Sequence, residues 1–188
     1  MRTLLIDNHS KLLSEVEKIL DGEIVVKEWD ALSPEDATSF DLIIISGATA
    51  FFPINGNEKR LFSEIDLVRH ATAPIIGICY GCQIIARAFG GTVEKMELRH
   101  EGLTKIRVVL PDPIFEGRKE FTVFESHRFV IRDLPPIVAP LAESRHGIEM
   151  IKHKTLPIFG LQFHPEHEVN KNDGLIIFKN ILKSLYGH

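Results

Sequence analysis

With 188 residues, 44% of them hydrophobic and 26% charged, the chain has the balance of an ordinary globular protein and is long enough to bury its own core. That balance excludes a disordered acidic tail, a collagen-like repeat and a coiled-coil rod, and no stretch approaches the roughly 18 apolar residues of a membrane-spanning helix. The net charge of −4 is spread without long runs, which argues against a nucleic-acid partner, and two cysteines are too few to staple a chain of this size.

Thr3 to Ile6 reads as a short strand stopped by Asp7-Asn8. Its apolar part is too brief for a signal-peptide core, so a cytoplasmic, reducing setting is expected, in which cysteines do chemistry rather than cross-link. Ser10 then reads as the N-cap of a helix whose Leu12, Leu13, Val16, Ile19 and Leu20 recur at helical spacing up to Asp21-Gly22. Glu23 to Glu28 is a second strand. Asp41 to Ile45, continuously apolar from Leu42, has the character of a parallel strand covered on both faces. A loop from Ser46 runs through Pro53 and Asn55-Gly56, followed by a helix over about Glu58 to His70, a strand at Pro74 to Ile78 and a helix over about Tyr80 to Phe89. This alternation predicts an α/β fold, a doubly wound and mostly parallel sheet with helices on both faces.

The second half changes character. Ile106 to Leu110, Phe121 to Phe124, Ile137 to Ala142 and Gly147 to His153 read as short strands without long helices between them, an antiparallel addition to the sheet. A buried strand, Ile158 to Phe163, precedes His164-Pro165-Glu166, and an amphipathic helix carrying Leu175 to Leu185 closes the chain. Neither a repeat nor a linker divides the sequence, so residues 1–188 are read as one domain.

The strongest local signal is Gly77-Ile78-Cys79-Tyr80-Gly81, a nucleophile elbow with Cys in place of Ser. A sharp strand-to-helix turn forces the nucleophile into a rarely populated backbone conformation, and flanking glycines remove side chains that would clash. The sulfur then sits at a helix N-terminus, which favours thiolate, with the Tyr80 N–H placed to receive an oxyanion. The ordinary role for a cysteine is that of a small buried apolar residue. Glycines on both sides of Cys79, directly after an apolar strand, favour the elbow.

A nucleophilic Cys needs a base, and the base an orienting partner. His164-Pro165-Glu166 supplies both. Pro165 disfavours helix at His164, so the segment is expected to be extended, with imidazole and carboxylate on one face. Parallel strands bring such distant residues to one crevice beyond their C-terminal ends.

Two other chemistries compete. Cys79-Tyr80-Gly81-Cys82 is also a Cys-x-x-Cys, and Cys82 could resolve an oxidised Cys79, although a small residue packed under the elbow is the plainer reading of Cys82. The nine histidines and the group His164, Glu166, His167, Glu168 raise zinc, but no second Cys pair or spaced His pair supports it, and no metal site is expected. His9, His70, His100, His146, His153 and His188 read as surface or internally satisfied residues.

With Cys79, His164 and Glu166 assembled, the chain resembles a class I glutamine amidotransferase over nearly its full length, a flavodoxin-like fold. The resemblance rests on the elbow running to Gln83 and on the strand Gly160-Leu161-Gln162-Phe163 leading into His164-Pro165-Glu166. Within that class it is most similar to the free-standing glutaminase subunit of two-subunit GMP synthetases, through Phe124-Glu125-Ser126-His127 and Ile148-Glu149-Met150-Ile151-Lys152-His153.

The resemblance implies that Cys79 attacks the side-chain amide of L-glutamine to give a γ-glutamyl thioester. It also implies that His164 and Glu166 move and orient the protons, and that ammonia passes to an ATP-dependent synthetase subunit, without a cofactor. It assigns the oxyanion donors to Tyr80 and to the Gly47-Ala48 loop, and substrate contacts to Gln83, Ser126 and His127. Several stretches depart from the family pattern: Ser46-Gly47-Ala48-Thr49, Ser126-His127-Arg128-Phe129, His167-Glu168-Val169-Asn170 and Asp7-Asn8-His9-Ser10. The last is closer to anthranilate and aminodeoxychorismate synthase amidotransferases. A stand-alone γ-glutamyl hydrolase and a non-catalytic regulatory relative remain the alternatives.

Overall fold

The computed structural model describes residues 1–49 and 58–187. The expected loop through Pro53 and Asn55-Gly56 lies largely outside these, as does His188. Among the described residues, nine strands form one sheet in the order β2-β1-β3-β4-β9-β8-β6-β5-β7. They are β1 (Arg2–Asn8), β2 (Glu23–Glu28), β3 (Leu42–Ala48), β4 (Ile75–Ile78), β5 (Val93–Val108), β6 (Glu120–Ile131), β7 (Val138–Glu143), β8 (Ile148–His153) and β9 (Ile158–Leu161). The helices are α1 (Leu13–Lys18), α2 (Glu58–His70), α3 (Tyr80–Ala88) and α4 (Gly174–Tyr186).

The first five strands of that order pair in parallel. The apolar runs of β1, β3, β4 and β9 are buried on both faces, β2 being the exposed edge, and alternation sends successive residues to opposite sides. Leu5, Leu42, Ile44 and Ile76 pack with Val16 of α1 and with Ile177, Phe178 and Ile181 of α4. Leu4, Ile6, Ile43, Ile45 and Ile75 pack with Leu61 and Val68 of α2 and with Ile84 and Ile85 of α3. The doubly wound sheet is thus as expected. Among the described residues no helix is long and apolar enough to cross a membrane.

β8 runs antiparallel to β9 and begins the added region. There β8 pairs with β7, β7 with β5, β5 with β6, and β6 returns to β8 through Ile131–Ile148, a closed circuit of four strands.

Several boundaries differ from expectation. Helix α1 starts at Leu13 rather than after Ser10, because Asp7 Oδ1 accepts the His9 and Ser10 N–H groups (2.7 and 3.3 Å) and His9 turns at φ 59°. Ser10 Oγ still accepts the Leu12 N–H at 3.2 Å, but within a turn that precedes the helix. β5 and β6 form a far longer hairpin than their apolar segments indicate. β9 ends at Leu161, and Pro165-Glu166 lies in a turn rather than in extended chain.

Candidate active site

The register places the site. Ile45 pairs with Gly77 and Gly77 with Gly160, so β3, β4 and β9 end side by side, and Gly47-Ala48, Cys79 and His164 emerge at one edge. Cys79 follows β4 directly, donates its N–H to Leu161 O at 2.7 Å, and begins α3 with φ 51° and ψ −101°. Such a conformation costs a non-glycine residue on the order of 1–3 kcal/mol. The surrounding glycines are what permit it. A Cβ on Gly77 would run into the Gly81 carbonyl, and one on Gly81 into the Ile45 carbonyl.

On one side of His164 stands Cys79, which faces the same cleft. On the other its Nδ1 lies 2.8 Å from Glu166 Oε1. Burial opposes charge on this imidazole, but the Glu166 carboxylate and the Cys79 sulfur outweigh it and hold the pKa well above the ordinary histidine value. A turn, not a strand, brings Glu166 under His164: Pro165 keeps His164 out of helix, and the His167 N–H closes onto His164 O at 3.3 Å. Asn172 pins the turn by donating from Nδ2 to His164 O and His167 O, both at 3.0 Å.

Cys79 and His164 open into a cleft of about 440 Å³, which Ala48, Tyr80, Gln83, Ser126 and His127 also line. Gly47 lies beneath it, where an added Cβ would sit 3.3 Å from His164 Cε1 and 3.7 Å from Cys79 Cβ. Glu166 stays behind His164, buried and away from the cleft. Tyr80 opens α3, where the first-turn N–H groups have no intrahelical acceptor.

Gln83 does not act alone. Its Nε2 donates to Phe129 O and to Gln162 Oε1, each at 2.9 Å, and Gln162 Nε2 in turn lies 3.7 Å from Cys79 Sγ. Gln162 is the site residue that sequence reasoning passes over. Its one signal is its place two residues before His164 at the end of a buried strand. Arg99 and Glu101, from the long β5, close the cleft rim, with Arg99 Nη2 donating to Ser126 Oγ at 2.7 Å.

Behind Tyr80 lies a second unexpected group. The phenol donates to Glu64 Oε2 at 2.9 Å, Asn8 Nδ2 donates to Glu64 Oε1 at 2.8 Å, and Arg60 pairs with Glu64 at 3.2 Å. Burial pushes the Glu64 carboxyl up against the pull of these partners, and burial with Glu64 pushes the Tyr80 phenol up. This network fixes the first residue of the helix that follows the elbow.

Cys82 is fully buried and does not line the cleft; its sulfur packs against Gly160, and burial pushes its thiol well up. That is the environment of a packing residue rather than a resolving thiol. His100 and His146 are partly buried and internally satisfied, His100 Nε2 lying 2.7 Å from Thr104 Oγ1 and His146 Nε2 accepting from Arg145 Nε at 3.1 Å. They stack at 4.2 Å between ring centroids, beside His127 and the buried Glu125.

A parallel sheet, a cysteine elbow and a histidine–carboxylate turn at its C-terminal edge define a class, and the chain belongs to the glutamine amidotransferase class-I family, whose model matches residues 4–184. The particular relatives are consistent. The chain is 34% identical to a glutamine-hydrolysing GMP synthase subunit of Pyrococcus abyssi, over 88% of this chain and 84% of that one. It is 32% identical to the subunit of the same name from Methanopyrus kandleri, over 96% of each. A Thermoplasma acidophilum crystal structure described as a candidate GMP synthase subunit superposes with a TM-score of 0.86 at 29% identity, covering 100% of this chain and 94% of that one. A Thermotoga maritima glutamine amidotransferase, 17% identical over 98% of this chain and 97% of that one, shares the fold with a TM-score of 0.76.

Proposed function

We propose that this protein hydrolyses L-glutamine as the amide-cleaving subunit of a GMP synthetase, with Cys79, His164 and Glu166 as its catalytic residues. The observation that carries the reading is that Cys79 and His164 share one cleft, with Glu166 Oε1 2.8 Å behind the His164 ring. The thiolate attacks the side-chain carbonyl carbon of glutamine, and the oxyanion is received by the N–H groups of Tyr80 and Ala48. The His164 imidazolium gives its proton to the departing nitrogen, so ammonia leaves and a γ-glutamyl thioester remains. Neutral His164 then takes a proton from water, whose hydroxide attacks the thioester and returns glutamate and free Cys79. Glu166 holds the ring in the orientation that serves both transfers. Gln83, Ser126 and His127 face the substrate. Ammonia passes to a separate ATP-dependent synthetase that forms GMP, and residues 1–188 act as one domain without a cofactor.

The test is glutamine-dependent ammonia release, with and without the synthetase partner, together with labelling by a glutamine-like electrophile. Wild type is expected to release ammonia and to carry the label on Cys79. Cys79→Ala is expected to lose at least three orders of magnitude in rate, as a removed nucleophile does. An unlabelled Cys79 overturns the reading. Rapid turnover of other γ-glutamyl compounds without any synthetase transfers the protein to the stand-alone hydrolases.

A further inference from the structure

One face of β6 is buried along its length and carries Phe121, Val123, Glu125, His127 and Phe129. An apolar row is what a core-facing strand requires, and a carboxylate and an imidazole interrupt it. Glu149 of β8 meets them from across the circuit of four strands, and it too is fully buried. Two carboxylates held together in the interior cost several kcal/mol each unless a cation or a proton compensates them.

Hydrogen bonds compensate only part of this. His127 Nε2 lies 3.2 Å from Glu125 Oε2, and Ser144 Oγ donates to Glu149 Oε1 at 2.6 Å. The other oxygen of each carboxylate, Glu125 Oε1 and Glu149 Oε2, has no partner among the described residues, and neither has His127 Nδ1. Two more imidazoles stand on the outer side. His100 Nε2 is 3.6 Å from Glu125 Oε2 with its side chain 18% exposed, and His146 stacks on His100 from the turn between β7 and β8.

We propose that His100, Glu125 and His146 bind a divalent cation of the zinc class, with His127 and Glu149 orienting Glu125 from the interior. Two imidazoles and a carboxylate are a donor set that zinc takes, with water completing the sphere. One ligand atom from each residue already lies within 4.8 Å of the other two. Tetrahedral ligands on bonds near 2.1 Å stand roughly 3.4 Å apart, so closing the site exchanges the contacts of His100 Nε2 with Thr104 Oγ1 (2.7 Å) and of His146 Nε2 with Arg145 Nε (3.1 Å) for the ion. The partly exposed His100 and His146 provide the entry path. His127 lines the cleft, so the ion fastens β5, β6 and the β7–β8 turn behind one wall of the substrate site.

The test uses the full chain as Cys79→Ala, which removes the sulfur as a competing ligand, freed of metal by chelation and titrated with Zn²⁺ and Co²⁺. Equilibrium dialysis is expected to give one ion per chain, and bound cobalt to absorb in the visible without a sulfur charge-transfer band. His146→Ala and Glu125→Gln are each expected to weaken binding at least tenfold, with the far-UV dichroism of the metal-free forms unchanged. Imidazole resonances provide the same reading without altering the ligands: Zn²⁺ should shift those of His100 and His146. No retained ion, an ion held equally well by both variants, or shifts confined to histidines outside this cluster overturns the proposal. In the first case the two carboxylates share a proton instead.

Discussion

His164 lies between two groups that both favour its charged form, and their effect depends on pH in a definite direction. Burial alone would drive the ring neutral, yet Glu166 and Cys79 raise its pKa well above the usual value. The unfolded imidazole titrates near ~6.5, so the folded state binds this proton more tightly. The stabilisation is complete below the unfolded value and is lost as pH rises through the folded one. Glu166→Gln removes the largest of the influences that raise the pKa while keeping a hydrogen-bond acceptor at Oε1. The His164 titration midpoint, followed by the ring's proton resonances, is expected to move down. The urea midpoint of wild type should exceed that of Glu166→Gln most near pH 6, and the gap should narrow on the alkaline side. Identical His164 titrations in the two proteins would show that the 2.8 Å contact carries no charge coupling.

At the scale of elements, the elbow depends on how closely α3 approaches β3, since the Gly81 Cα faces the Ile45 carbonyl with no room for a methyl group. Gly81→Ala therefore has to push helix and strand apart, and overpacking of this kind costs about 3 kcal/mol, measurable as a lowered urea midpoint. The labelling rate of Cys79 should fall with it, because the helix N-terminus moves with the sulfur. This close packing is legible in the sequence, as are the parallel strands, whose Leu42-Ile43-Ile44-Ile45 run suits only a strand covered on both faces. The first part of β5 is not, since Glu94, Lys95, Glu97, Arg99 and Glu101 are exposed and leave no alternating signal. β6 reads short because Glu125 and His127 occupy its buried face. That Cys79, His164 and Glu166 lie together can be read in advance from the elbow and the His-Pro-Glu motif, although the chain at Pro165 is a turn and not the extended segment expected. Gln162 and the Glu64–Arg60–Asn8 group cannot, since only the folded sheet brings them to Cys79 and Tyr80.

Across the whole molecule, the cleft lies between two constructions: Ala48, Cys79 and His164 come from the ends of parallel strands, while Arg99, Ser126 and His127 come from the antiparallel hairpin. A site shared in this way works only if the halves keep a fixed spacing. The His164 N–H donates to Phe124 O at 2.8 Å, and the His167 ring stacks on Phe124 at 3.6 Å, which joins the His-Pro-Glu turn to β6. Asn172 ties the same junction from below. Besides its two bonds to the turn, its Oδ1 accepts the N–H groups of Gly174 at 2.9 Å and Phe124 at 3.3 Å. It thereby connects hairpin, turn and the start of α4. Asn172→Ala removes all four bonds without touching the cleft. At about 1 kcal/mol net for a typical bond and with water replacing some, the expected destabilisation is about 2 kcal/mol. A loosened His164 should lower kcat for glutamine hydrolysis about tenfold, equivalent to about 1.4 kcal/mol in the barrier, and leave KM nearly unchanged. Asn172→Asp restores the acceptor oxygen but not the two donated bonds, so it should recover stability more than rate. Equal recovery of both would mean that Asn172 serves the fold alone and that the spacing of the two halves is set elsewhere.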